Sequence, residues 1–162
     1  MKILGIGNAI VDVICKVDDE FILKNNLTKS TMKLFFDRHE FKRLLTNLKI
    51  EKTVSGGSIA NSIVGLAQLG NSVGFIGKIS DDEFGSKYED GLQSEKVKYL
   101  YSKKKEELPT GTCLILVTPD SERTMCTFLG TAGKINERDV SADIIKKSEI
   151  IFLEGYLWDE GE

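Results

Sequence analysis

The chain has 162 residues, 41% of them hydrophobic and 29% charged, which is the composition of a globular domain with a core and not of a disordered segment. Its net charge of −3 argues against non-specific nucleic-acid binding, which needs clustered Lys and Arg in excess to neutralise phosphates. The longest apolar stretch, ILGIGNAIVDVICKV, is interrupted by Asn8 and Asp12. With no A-x-A-like cleavage site behind it, neither a membrane span nor a leader is expected, and the chain reads as cytoplasmic.

In chain order, KILGIGN at 2–8 reads as a buried parallel strand that delivers its last residues to a site. IVDVICKV continues extended, and STMKLFF at 30–36 reads as another strand. Residues 37–49 open with an Asp N-cap and place Phe41, Leu44, Leu45 and Leu48 on one helical face. In VSGGSIANSIVGLAQLG, Gly56 and Gly57 precede a helix with an apolar stripe of Ile59, Ile63, Leu66 and Leu69, and Gly70 is placed to end it.

SVGFIGKI at 72–79 is a further strand, and the helix after it opens with Asp81 and Asp82, acids suited to a helix N-terminus. Lys103–Lys105, followed at once by Glu106 and Glu107, read as a solvated loop. TGTCLILVTP and ERTMCTFLG form a hairpin, SADIIKKSE a short helix and IIFLEGYL a last apolar strand. Strands alternating with helices make the fold class α/β, with the hairpin and the 30–36 strand forming a satellite sheet.

Cys15, Cys113 and Cys126 lie far apart among apolar residues and read as buried reduced thiols. The single histidine, His39, has no second His or Cys at motif distance, so no metal site is assigned. GIGNAI lacks the third glycine of a dinucleotide fingerprint, and GKIS lacks the features of a Walker loop. What remains is a set of oxygen-binding groups. Asn8 and Asp12, four apart on extended chain, point to one face, and a carboxylate beside an amide suits a pair of sugar hydroxyls. Gly56 and Gly57 add backbone N–H groups at a helix start, and Asn61 adds another amide.

GGSIANSIVGLAQLGNSVGFIGKISDDEFG resembles the first signature of the ribokinase and phosphofructokinase-B family of carbohydrate and nucleoside kinases, in its paired glycines, its asparagine, its helix ending in glycine and its F-I-G before D-D-x-F-G. PTGTCLILVTPDSERTM resembles that family's lid hairpin, and GNAIVD its substrate strand. The resemblance implies part of a ribokinase-like three-layer α/β sandwich: a core at 1–10, 37–109 and 130–162, and a β-sheet lid at 11–36 and 110–129. It implies that Asp12 and Asn8 hold ring hydroxyls and that Gly56, Gly57 and Asn61 close around the same ring, with Cys113 a further candidate for substrate contact. Glu154, after a strand end near the expected pocket, is a candidate for either a structural or a substrate role. Asp81 and Asp82 read as helix-capping acids and not as catalysts.

The implied activity is ATP-dependent phosphorylation of a sugar or nucleoside hydroxyl, with Mg2+ as cofactor and a homodimer formed through the lid. The four-residue spacing of Asn8 and Asp12 resembles the adenosine-kinase branch more than the ribokinase branch. No G-A-G-D motif is present. The catalytic base and the nucleotide pocket are therefore expected in a second half absent here, no catalytic residue is assigned, and the chain alone is expected to be inactive. The alternative is a non-catalytic sugar-binding or dimerisation module of half length.

Overall fold

A computed structural model describes residues 1–158. In chain order the elements are β1 (Ile3–Ile6), β2 (Ile10–Lys16), α1 (Asp19–Lys24), β3 (Met32–Leu34), α2 (Arg38–Thr46), β4 (Ile50–Gly56), α3 (Ser58–Gln68) and β5 (Val73–Ile76). There follow α4 (Glu83–Ser94), β6 (Lys98–Tyr99), β7 (Gly111–Val117), β8 (Arg123–Phe128), α5 (Ala142–Lys146) and β9 (Ile150–Leu153), with a 3-10 turn at Gly155–Trp158.

These strands build two sheets. The first, in the order β6-β5-β1-β9, is parallel throughout, with Ile3 opposite both Val73 and Ile150. Strand β1 is uniformly apolar because it has neighbours on both sides, and Gly5 and Gly7 leave room for Ile59 and Ile63 of α3 to lie against it. The second sheet, in the order β3-β8-β7-β2-β4, mixes parallel and antiparallel pairs. Alternation along β2 and β7 buries Val11, Val13, Leu114 and Leu116 on one face, and turns Asp12, Ile14 and Ile115 to the other.

Three parts of the fold depart from the sequence reading. Residues 50–56, expected within the core, form β4 and pair antiparallel with β2 at the edge of the second sheet. Only Ile50 and Val54 are large and apolar there, so the segment carries little strand signal. The short helix α1 and the two-residue β6 were not anticipated either. Lys103 and Lys104 are not simply solvated: Lys103 reaches Glu89 at 3.3 Å, and Lys104 reaches Glu106 and Asp139, each at 3.7 Å. Of the core segment expected at 130–162, residues 159–162 lie outside the described residues.

The helix starts follow their caps. Asp37 accepts from the amides of His39 and Glu40 to open α2. Asp82 accepts from Gly85 N at 2.8 Å to open α4, and also binds Thr110 through its amide at 2.9 Å and its hydroxyl at 2.7 Å. The same carboxylate thus holds the root of β7. Phe75, Tyr88 and Tyr99 stack in the core, and all three cysteines are free and buried. Below β5, Lys78 is buried between Asp139 at 3.1 Å and Glu106 at 3.6 Å. No helix among the described residues is long and apolar enough to cross a membrane.

Candidate functional site

The connection from β1 to β2 carries Asn8, and β2 carries Asp12 on the face away from Val11. Ile10 pairs with Gly56, so the end of β4 and the start of α3 are brought against this connection. Gly57 has φ +96°, and a Cβ there would run into the Asn8 carbonyl oxygen. A Cβ on Gly56 would run into the Asp12 carboxylate. The glycine pair is therefore explained by close approach as well as by backbone conformation.

The polar groups at this junction are under-used. Asn8 Oδ1 is buried with no hydrogen-bond partner. Asp12 makes no hydrogen bond among the described residues, and burial pushes its carboxyl up to about 6. Native proteins rarely leave a buried oxygen unpaired, and Asn8 Oδ1 with the half-buried Asp12 carboxylate near it marks a place where donors arrive from outside. Both side chains line one cavity of about 440 Å³.

Gly57, Ser58, Cys113 and Glu154 line the same cavity. Ser58 donates its hydroxyl to Glu154 Oε2, joining the start of α3 to the segment after β9. Thr127 Oγ1 lies 3.3 Å from Cys113 Sγ, and burial raises that thiol to about 11, so Cys113 is present as a neutral wall residue. The rest of the lining is apolar, with Met32, Leu34 and Phe36 from β3 and its end, Met125 and Leu129 from the hairpin, and Tyr156; Met32, Leu34 and Met125 share a face of the second sheet with Asp12 and Cys113. This apolar lining had no sequence signal, because its members are single apolar residues from three distant segments.

Asn61 is not brought to this cavity. With Ile59 and Ile63 against β1, a residue two positions after Ile59 turns about 200° around the helix. Asn61 accordingly is exposed and lines a separate cleft with Val11, Ser55 and Val64. Asp82 caps α4, as the sequence suggested for an acid at this position.

What the cavity can do is receive hydroxyl groups at its polar residues, a carboxylate and an amide oxygen accepting and the Asn8 amide donating, while an apolar part of the ligand lies on the apolar lining. It does not fit magnesium or a nucleoside triphosphate. Its lining offers no cation to a polyphosphate, and no group of three or more His, Cys, Asp or Glu among the described residues could hold a metal.

Comparison with known proteins gives this geometry a family. The chain is 28% identical to 5-dehydro-2-deoxygluconokinase from Mesomycoplasma hyopneumoniae (strain 7448) over 86% of its length and 40% of the relative's. It is 25% identical to adenosine kinase 2 from Arabidopsis thaliana over 95% of its length and 46% of the relative's. The crystal structure of adenosine kinase from Sinorhizobium meliloti superposes with a TM-score of 0.86 at 34% identity, over 98% of this chain and 48% of that one. The chain thus spans less than half the length of each of these relatives, and within that span it has part of the ribokinase-like α/β fold. The description "pfkB family carbohydrate kinase" matches residues 6–161, and the chain belongs to that family.

Proposed function

We propose that this chain is the substrate-binding half of an ATP-dependent kinase that phosphorylates a hydroxyl of a sugar or nucleoside. The carrying observation is the unpaired, buried Asn8 Oδ1 near the half-buried, unbonded Asp12 carboxylate, in a cavity bounded by the glycine turn at Gly56 and Gly57. In this reading Asp12 accepts from ring hydroxyls, Asn8 both accepts and donates, and the Gly57–Ser58 start of α3 adds backbone donors. Asn61, where the structure has it, would reach the ring only by a change of position.

The five-stranded sheet is the proposed lid, with Met32, Met125 and Leu129 lying over the ligand. Its open face continues beyond the cavity with half-buried Ile14, Ile115 and Val117, and this surface is the proposed contact with a second copy of the chain in a cytoplasmic homodimer. ATP and magnesium belong in this reading to the part of the relatives that the chain does not span, as do the catalytic base and the groups that stabilise the transferred phosphoryl.

The test is calorimetric titration of the chain with adenosine, ribose and fructose. At least one should bind, and Asp12→Asn should weaken it by about tenfold or more, since charge-assisted bonds to ligand hydroxyls are lost. Absence of binding by all three overturns the reading. A coupled ADP-release assay should find no turnover by residues 1–162 alone, and substrate-dependent turnover would overturn the placing of the chemistry outside this chain. Light scattering at micromolar concentration should report a dimer, and a monomer would count against the lid contact.

A further inference from the structure

The start of an eleven-residue helix such as α3 is a natural place for an anionic ligand group, because its first N–H groups are unpaired and its dipole favours negative charge. In this chain a carboxylate of the protein stands beside it, held through a side-chain hydroxyl and not through the helix N–H groups. Ser58, the first residue of α3, donates to Glu154 Oε2. Glu154 Oε1 lies 3.7 Å from the Cβ position of Gly7, so the end of β1, the start of α3 and the segment after β9 meet at this side chain.

Asp12 brings a second carboxylate to the same cavity, and no Lys, Arg or His is among the lining residues. The cationic residue of β3, Lys33, is engaged elsewhere: its ammonium lies 3.3 Å from Glu40 and 4.6 Å from the centre of the Phe35 ring. The remaining lining, with Phe36, Met32, Met125 and Tyr156, is apolar and exposed, a surface for an uncharged planar group.

We propose that Glu154 selects ligands by charge, adding its carboxylate to that of Asp12 beside the start of α3 so that the cavity admits an uncharged nucleoside-type ligand and rejects a sugar acid. This rests on the reading of the cavity as a substrate site. A carboxylate entering the cavity meets Glu154 and Asp12 with no counter-charge among the described lining residues, whereas a neutral glycoside offers hydroxyls to Asp12 and a flat apolar group to the apolar lining beside it.

The experiment is calorimetric titration of the chain with adenosine and with D-gluconate, at low and high salt, on the wild type, Glu154→Gln and Asp12→Asn. Wild type should prefer adenosine by about tenfold or more, and the preference should shrink as salt screens the carboxylates. Glu154→Gln should move the ratio of the two affinities about tenfold toward gluconate. The salt response of the wild type keeps the proposal testable should Glu154→Gln unfold. Gluconate bound by the wild type as tightly as adenosine, and lost in Asp12→Asn, overturns charge selection while leaving the site standing. An unchanged ratio in folded Glu154→Gln, or a salt-independent preference, also overturns it. Binding of neither ligand overturns the site and the selection together.

Discussion

Tyr88, fully buried on α4, donates its hydroxyl to the carbonyl oxygen of Gly56 at 3.2 Å, while its own carbonyl accepts from Ser55 Oγ at 2.9 Å. Burial first, and then the Asp12 carboxylate, push the phenol well above its ordinary range, so Tyr88 remains a neutral donor. Helix α4 thus holds the end of β4 from behind, and through it the glycine turn beside Asn8 and Asp12. Tyr88→Phe leaves a buried carbonyl without this donor and should cost about 1 kcal/mol in urea unfolding. The variant should also bind adenosine more weakly, and unaltered binding would show that the turn keeps its shape without this bond.

Asp12 makes ligand binding and stability respond to pH in opposite directions. Its folded carboxyl titrates at about 6, above the ordinary 3.8, so between those values the folded chain holds the proton more tightly than the unfolded chain does. Its contribution to stability is therefore greatest at low pH and falls as pH rises from 3.8 through 6. Hydroxyl donors prefer the ionised form, so affinity should rise over the same range. Wild type compared with Asp12→Asn in denaturant unfolding at pH 5 and pH 7, with titrations alongside, checks both signs, and equal pH responses of the two proteins would refute the assignment.

Gly57 and Gly65 stand in the same region of chain with opposite expectations. At Gly57 the backbone has φ +96° and a Cβ would strike the Asn8 carbonyl, whereas at Gly65, inside α3, a Cβ would meet nothing within 4 Å. Gly57→Ala should destabilise by about 1–3 kcal/mol and abolish ligand binding. Gly65→Ala should stabilise by about 0.5–1 kcal/mol. Chemical unfolding of the two variants side by side settles both.

Lys78, Glu106 and Asp139 form a buried ionic cluster, with Lys78 and Asp139 each under one-tenth exposed. Asp139→Leu takes the nearer carboxylate from Lys78 and leaves it Glu106 at 3.6 Å, so it should cost about 1–3 kcal/mol. Lys78→Met combined with Asp139→Leu should recover part of that loss. A double variant no more stable than the single one would show that the cluster is held by more than this pair.

How much of this was legible in the sequence depends on how each signal is carried. Asn8 and Asp12 were readable because a turn residue and a β-strand carboxylate announce themselves by type and spacing, and the hairpin and the caps at Asp37 and Asp82 for the same reason. Strand β4 was not, because an edge strand with polar residues outward has almost no apolar period. Asn61 was assigned to the ring by its place in the motif, but its direction is set by Ile59 and Ile63, which seat the helix on β1 and turn Asn61 away. Glu154 was open to a structural or a substrate role, and its pairing with Ser58 across 96 positions of sequence has no local trace.

The double use of Asp82 has a consequence for how the chain folds. One carboxylate closes the first turn of α4 and holds Thr110, 28 positions away, at the root of β7. The cap forms locally, across three positions, whereas the bonds to Thr110 form only when the hairpin docks, so the root of β7 meets an acceptor that the helix turn already holds in place. The carboxylate links the start of α4 to the root of the hairpin, and hydrogen exchange at the Gly85 and Thr110 amides should report one opening free energy where the link is cooperative and a lower one at Gly85 where the cap opens alone.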